Sequence, residues 1–333
     1  MLEAIIAIAI MLIKIVIVFA AVLLVVAYVT LMERKVLGHI QVRHGPNRVG
    51  WHGLLQPIAD GLKLLFKEEV TIEQASKGIY YLAPVIYMSC ALVVYAVIPF
   101  GDDINILGRV IPLRIADVNI GILYIFALSS LGVYGVVLAG WSSNNKYSLL
   151  GGLRASAQMI SYELPLGLSI VGVLMITGSL SMVDIVNAQK NVWFIVLQPL
   201  GFLLFLTCAF AETARTPFDL VECDNEIVAG YQTEYSSMKF AMFYLAEYTH
   251  LVAVSSIVVT LFLGGWRGPF LPPTLWFLIK VLAFVYFFIW VRATFPRFRY
   301  DQLMNFGWKV LLPLALINIV ITSFIMVILK VSR

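Results

Sequence analysis

Apolar runs of roughly twenty residues recur along this 333-residue chain, and no other feature limits its fold so strongly. A helix of about 20 residues crosses the hydrocarbon of a bilayer. In that medium every backbone N–H and C=O must find a partner inside the protein, which leaves helices or closed barrels. Strand-like alternation of apolar and polar residues is absent, so the runs read as helices. Composition agrees: 61% of residues are hydrophobic, 13% are charged and the mean hydropathy is +0.93. Soluble domains carry about twice that charge. The chain therefore reads as an all-α integral membrane protein, with residues 1–333 forming a single integral membrane domain. There is no Ser/Gly-rich or Pro-rich linker and no hydrophilic segment long enough to fold alone.

About eight transmembrane helices can be drawn, near 4–31, 79–99, 120–140, 156–178, 193–212, 240–263, 274–292 and 309–330. The first begins Met1-Leu2-Glu3 without a basic n-region, and Lys14 interrupts its apolar run, so it reads as a span rather than a cleavable signal. Between the first two spans, Leu54, Leu55, Ile58, Leu62, Leu65 and Phe66 fall at helical spacing. Gln56, Asp60, Lys63 and Lys67 share the opposite face. This is the pattern of an interfacial amphipathic helix lying along the membrane. Glu68, Glu69 and Glu73 beyond it read as a solvated face, and Gly151-Gly152 reads as a turn opening the fourth span.

Basic residues set the expected orientation. Fifteen Lys and Arg fall in the odd-numbered loops and six on the other side. The richer side should be cytoplasmic, or the matrix in an organelle, with both termini opposite. On that side the segment Glu212–Glu234 carries six acids (Glu212, Asp219, Glu222, Asp224, Glu226 and Glu234) and one base, Arg215. The stretch 216–239 is too polar to cross and too apolar for a free tail, so it should fold against the membrane domain or a soluble partner. Glu163 and Glu247 enter neighbouring spans from the same side, about two turns deep. With Glu212 they place three carboxylates of three helices at one level. Charges near a bilayer centre are expensive, so such a set reads as a proton or cation path. Burial and like charge bring such acids toward neutral pH, and coupled acids titrate as a group. Lys14 and Lys280 enter from the opposite face.

Other chemistries find little support. His39, His44 and His52 lie in the first loop and only His250 in a span, so paired axial haem ligands are lacking. His250 lies one turn from Glu247, where a polar-path role and simple packing are both open. Cys90, Cys208 and Cys223 are far apart, with no C-x-x-C to signal a metal or iron–sulfur site. No Gly-rich phosphate loop and no serine nucleophile motif occurs. The net charge of +4 is explained by orientation and does not call for nucleic acid.

Glu33-Arg34-Lys35 with Gln41-Val42-Arg43-His44-Gly45-Pro46-Asn47-Arg48-Val49-Gly50 resembles the first-loop signature of the NuoH-type membrane subunit of respiratory complex I. Leu54-Leu55-Gln56-Pro57 with Asp60 and Lys63, Ser161-Tyr162-Glu163, Ala211-Glu212-Thr213 and Arg215 to Leu220 continue the likeness. So do Glu226 with Val228-Ala229-Gly230, Glu234-Tyr235, Ala246-Glu247-Tyr248 and Pro296 to Met304. The resemblance implies a membrane component of proton-translocating NADH:quinone oxidoreductase that forms much of the quinone-access chamber. It implies chamber-lining roles for Arg34, Arg43 and Asp60. It implies proton-path and coupling-loop roles for Glu163, Glu212, Asp219, Glu222, Asp224, Glu226, Glu234 and Glu247. Quinone is the expected substrate. No redox cofactor is expected in this chain; FMN and iron–sulfur clusters would belong to partner subunits. Expected partners are the soluble redox arm with its quinone-proximal iron–sulfur cluster, the small and antiporter-like membrane subunits, and the lipid bilayer. The expected location is the bacterial inner membrane, with the mitochondrial inner membrane as the alternative. The sequence departs from the family's E-x-E-x-E at Glu222-Cys223-Asp224-Asn225-Glu226, where Asp224 keeps the charge on a side chain one methylene shorter. A related membrane component of a proton-coupled hydrogenase, using another electron donor, and a stand-alone ion transporter are the competing readings.

Overall fold

The first helix outlasts its apolar run, which ends at Met32. In the computed structural model, which describes residues 2–106, 109–220 and 227–328, helix α1 runs from Leu2 to Ile40. At 39 residues it is roughly 58 Å long, far more than the ~30 Å hydrocarbon thickness. Glu33, Arg34 and Lys35 continue the helix past the apolar run because their charges find partners elsewhere in the fold. The amphipathic helix α2 spans Gln56–Leu65 with Pro57 in its first turn, where a missing N–H does no harm. Ile58, Leu62 and Leu65 are all more than half exposed, as a helix resting on a membrane surface requires.

Seven helices among the described residues are long and apolar enough to cross a membrane. After α1 come α3 (Lys77–Val93), α4 (Gly121–Ser142) and α5 (Lys146–Thr177). A short α6 (Met182–Ala188) follows. The expected fifth span is broken into α7 (Phe194–Leu197) and α8 (Pro199–Glu212). Pro199 explains the break: it lacks an N–H and pushes the preceding residue out of the helical region, and Gln198 sits at φ −131, ψ 56. Gln198 settles there by donating to Thr322 Oγ1 at 2.9 Å and accepting from Asn318 Nδ2 at 3.3 Å. Then come α9 (Ser237–Phe262), α10 (Pro273–Thr294) and α11 (Tyr300–Phe306). A π-helical stretch, Gly307–Leu311, joins α11 to α12 (Leu312–Ile328), so the last span starts well before residue 309. The most apolar window of α9 is 78% buried and that of α1 only 6%, which puts α9 at the centre and α1 at the rim.

The fourth span also starts earlier than expected. Gly151 and Gly152 do not form a turn; they lie inside α5, which begins at Lys146 behind an Asn145 cap. Their lack of side chains lets backbones touch. A Cβ on Gly151 would stand 2.5 Å from the Cα of Gly230, and one on Gly152 would stand 3.3 Å from the Cα of Gly140.

The connections sort to two ends. At one end Ser76 N donates to Ser142 O at 3.1 Å, Asn145 Nδ2 donates to Glu234, and Phe298 N donates to Pro217 O at 3.0 Å. There Ser237 Oγ lies 3.0 Å from both Leu64 O and Lys67 O, and Lys239 pairs with Glu69 at 2.7 Å. Glu69 is therefore the counter-ion of a buried lysine rather than simply solvated. The described parts of the acidic loop pack into the protein, with Phe218, Leu220, Ile227, Tyr231 and Tyr235 all buried. Burial pushes the Tyr235 phenol up to about 12, so it stays neutral beside Ser142. At the other end lies a hairpin that the sequence pattern does not announce, β1 (Ile104–Ile106) antiparallel to β2 (Arg109–Ile111) with Ile104 opposite Ile111. Lys280 turns to that end. Its ammonium donates to the carbonyls of Leu263, Gly265 and Arg267 at 2.7, 3.1 and 2.7 Å, so it does not reach toward the carboxylates.

Candidate functional site

Two of the three intramembrane carboxylates share one cavity. Glu212 is the last residue of α8 and is buried; Glu163 lies midway along α5. Adjacent serines of α4 serve them separately: Ser129 Oγ bonds Glu212 Oε1 and Ser130 Oγ bonds Glu163 Oε1. Ser130 Oγ is also 3.0 Å from Phe126 O. A hydroxyl has one proton and two lone pairs, so Ser130 can donate to an ionised Glu163, or donate to Phe126 O while accepting from a protonated Glu163. His250 Nε2 stands 3.5 Å from Glu212 Oε1, which makes Glu212, and not Glu247, its carboxylate neighbour. The cavity between them measures about 30 Å³, enough for a water or two.

Glu247 looks into a second, larger cavity of about 180 Å³. Glu33, Arg34, Arg215, Asp219 and Arg292 line it as well. Glu247 accepts from Gln232 Nε2 at 2.7 Å and from Tyr231 Oη at 3.1 Å. Asp219 accepts from Arg297 at 3.1 Å. Glu33 is the pivot: Arg215 Nη1 lies 3.2 Å from both its oxygens, and Arg292 Nη1 bonds Oε1. Burial opposes the charge on Arg215, but the Glu33 carboxylate, with Tyr248 and Glu247, more than offsets it and holds the guanidinium charged. That guanidinium also stacks 4.3 Å from the centre of the Tyr248 ring.

The two cavities adjoin, since Tyr87 and Met159 line both. A third, about 30 Å³, begins at Glu212, Ser129 and His250 and continues between apolar side chains such as Ile122, Phe205 and Leu261. Polar and titratable groups thus run from the charged cavity, past Tyr87, to the Glu163–Glu212 pair. Such a run can hold and relay protons.

The remaining expected site residues separate. Arg34 Nη1 meets Asp60 Oδ2 at 2.6 Å, joining α1 to α2 beside the charged cavity. Arg43 is exposed on the turn after α1 and bonds Gln41 at 2.7 Å. Glu234 bonds Asn145, and its carbonyl accepts from Tyr80 Oη at 2.6 Å, which ties the loop to α3 and α5. Glu222, Asp224 and Glu226 lie outside the described residues. Sequence reasoning gave no role to Glu33, Arg215, Arg292, Ser129 or Ser130. Only the burial of an acid between two arginines sets Glu33 apart, and burial depends on residues 182 and 259 positions away.

A family model described as NADH dehydrogenase matches residues 13–323. The chain belongs to the NADH dehydrogenase family. Curated members of it are close in sequence. The first of the NADH-quinone oxidoreductase H subunits of Geobacter sulfurreducens is 57% identical over 94% of this chain and 93% of its own length. The NADH-quinone oxidoreductase H subunit of Syntrophotalea carbinolica is 55% identical over 93% of this chain and 94% of its own. The second such protein of Rhizobium meliloti is 50% identical over 97% and 99%. The match to the NADH dehydrogenase family covers α1 from Ile13 through most of α12, and so all the cavities described above.

Proposed function

We propose that this chain serves as the H subunit of a bacterial NADH-quinone oxidoreductase. In that role it forms the membrane-embedded part of the quinone chamber and carries protons away from it. The observation that carries the reading is the succession of adjoining cavities: a charged one bounded by α1, α9, α10 and the acidic loop, then the Glu163–Glu212 cavity. The end bearing α2 and the acidic loop faces the cytoplasm and the soluble redox arm, in keeping with its basic loops.

Quinone reduction takes up two electrons and two protons, and the electrons arrive from cofactors of partner subunits. A long-tailed quinone reaches the chamber from lipid past the apolar face of α2. The Arg34–Asp60 pair stands where the head would meet charge. Glu247, Asp219 and Glu33 lie at the chamber wall between fixed cations, so a change in head-group charge alters their protonation through space. A proton released at Glu247 moves past Tyr87 to the Ser130–Glu163 and Ser129–Glu212 contacts, with cavity water as carrier. Glu222, Asp224, Glu226 and Glu234 are the loop acids proposed to feed the chamber, and Arg43 lies at its outer rim.

Asp60→Asn tests the chamber. It leaves the size of the side chain and removes the partner of Arg34. NADH:quinone activity of the assembled complex should fall about tenfold, an effect of roughly 1.4 kcal/mol. Electron transfer from NADH to a soluble artificial acceptor should persist. Unchanged quinone kinetics would remove Arg34 and Asp60 from the chamber.

A further inference from the structure

An apolar groove of about 650 Å³ lies between α1 and α10, with Tyr95, Phe100 and the segment after β2 along its floor. It lies apart from the charged cavity, toward the hairpin end. Two cations line it, Lys14 and Arg114. We propose that this groove is a binding site for one anionic phospholipid, with an acyl chain in the groove and the phosphate between Lys14 and Arg114.

Four observations carry this. First, α1 lines the groove from Ile10 to Val25, roughly 22 Å of helix. That is ample for an acyl chain of one leaflet of a ~30 Å core. Second, the rims are open to lipid: Ile13 and Ile17 on α1 are 58% and 61% exposed, and Leu278 and Leu282 on α10 are 42% and 43%. Third, Lys14 makes no hydrogen bond or ion pair among the described residues, although its surroundings are apolar. An ammonium so placed needs a counter-ion. Fourth, Arg114 spends two of its nitrogens on Asp103 and Asp117, both at 3.1 Å, and keeps a buried Nε–H without an acceptor. Asp103 and Asp117 are 41% and 48% exposed, and neither pairs with Lys14 among the described residues.

Both cations line the one groove. Side chains of a helix lean toward its N-terminus, so Lys14 extends toward the hairpin end, where Arg114 follows β2. A phosphate diester offers anionic oxygens that an ammonium and a guanidinium N–H can share. A neutral isoprenoid tail would fill the groove but leave Lys14 and the Arg114 Nε–H unanswered. A partner's transmembrane helix would have to bring its own carboxylate.

A photo-crosslinking residue at position 17, in the complex reconstituted into vesicles of equal parts phosphatidylglycerol and phosphatidylethanolamine, tests the site. The adduct is identified by mass. Phosphatidylglycerol should exceed phosphatidylethanolamine about fivefold, the preference one cation near an anionic headgroup supplies. Lys14→Gln should bring the two adducts to parity, and Lys14→Arg should restore the preference. Ala21→Phe, which fills the groove and keeps both cations, should lower the yield of both adducts. Parity of adducts in the unsubstituted complex would overturn the proposal, as would an adduct with a polypeptide, which would assign the groove to a neighbouring protein of the complex.

Discussion

Tyr87 of α3 and Met159 of α5 each line both the charged cavity and the Glu163–Glu212 cavity, so the two cavities share this wall. On the proposed function, a proton moving between the cavities along their shared wall would meet this pair. The tyrosine carries a hydroxyl that can relay it; the methionine is apolar and flexible. Tyr87→Phe keeps the ring and removes the relay. The expected outcome is a loss of about tenfold in proton translocation and quinone reduction together, with NADH oxidation by a soluble acceptor unchanged. Parallel assays on inverted membrane vesicles would show it.

Glu33 holds Arg215 and Arg292 at once, and Arg215 is buried. Removing one partner of a buried pair leaves an uncompensated charge and costs about 3–5 kcal/mol. Glu33→Gln should therefore reduce the amount of intact complex extracted from membranes as well as its activity. Arg292→Lys keeps a cation by Glu33 and should be milder. Immunoblots of the complex, set against activity per complex, separate the two effects.

The latch between α2 and α9 ranks its residues by burial. Glu69 is half exposed but faces a buried ammonium, so Glu69→Gln should cost between the ~1 kcal/mol of an exposed pair and the ~3–5 kcal/mol of a fully buried one. Glu68, for which no partner is seen among the described residues, should be silent on substitution by Gln. Lys239→Met should do more, because the Lys239 ammonium is buried and also lies 4.4 and 4.2 Å from the ring centres of Tyr80 and Tyr81. The readout is the apparent KM for quinone, since α2 carries Asp60.

Much of the architecture is legible in the chain itself because it follows from local pattern. The apolar runs give the spans, and the i, i+3, i+4 spacing from Leu54 to Phe66 gives α2. Pro199 is equally visible, yet a hydropathy window averages across it and hides the break that creates the α7–α8 pair. Gly151-Gly152 reads as a turn by composition and is a contact in fact, because the distant Gly230 and Gly140 make smallness necessary there. Within the site, acids in apolar runs are conspicuous. Their partners are not: Ser129 and Ser130 are ordinary serines until α4 lays them against Glu212 and Glu163. The expectation that Glu163, Glu212 and Glu247 form one set also needs dividing. Glu247 and His250, three residues apart on α9, look into adjoining cavities.

The glycine contact gives a paired test. Gly151→Ala would put a methyl group 2.5 Å from the Gly230 backbone and should destabilise the fold by about 1–3 kcal/mol. Gly167→Ala, on the same helix with nothing within 4 Å of the added carbon, should be neutral or slightly stabilising. Thermal inactivation of the solubilised complex distinguishes them.

On the proposed function, Glu163, Glu212 and Glu247 carry the protons. Glu→Gln keeps size and polarity and removes the titratable proton. The most direct measurement is the proton-to-electron ratio and turnover of the reconstituted complex bearing Glu163→Gln, Glu212→Gln and Glu247→Gln together. Quinone reduction and proton translocation should both fall by at least about tenfold in an assembled complex whose reaction with a soluble acceptor is intact. Translocation at the unsubstituted ratio and rate would contradict it, and these acids would then be structural groups satisfied by Ser129, Ser130, Tyr231 and Gln232.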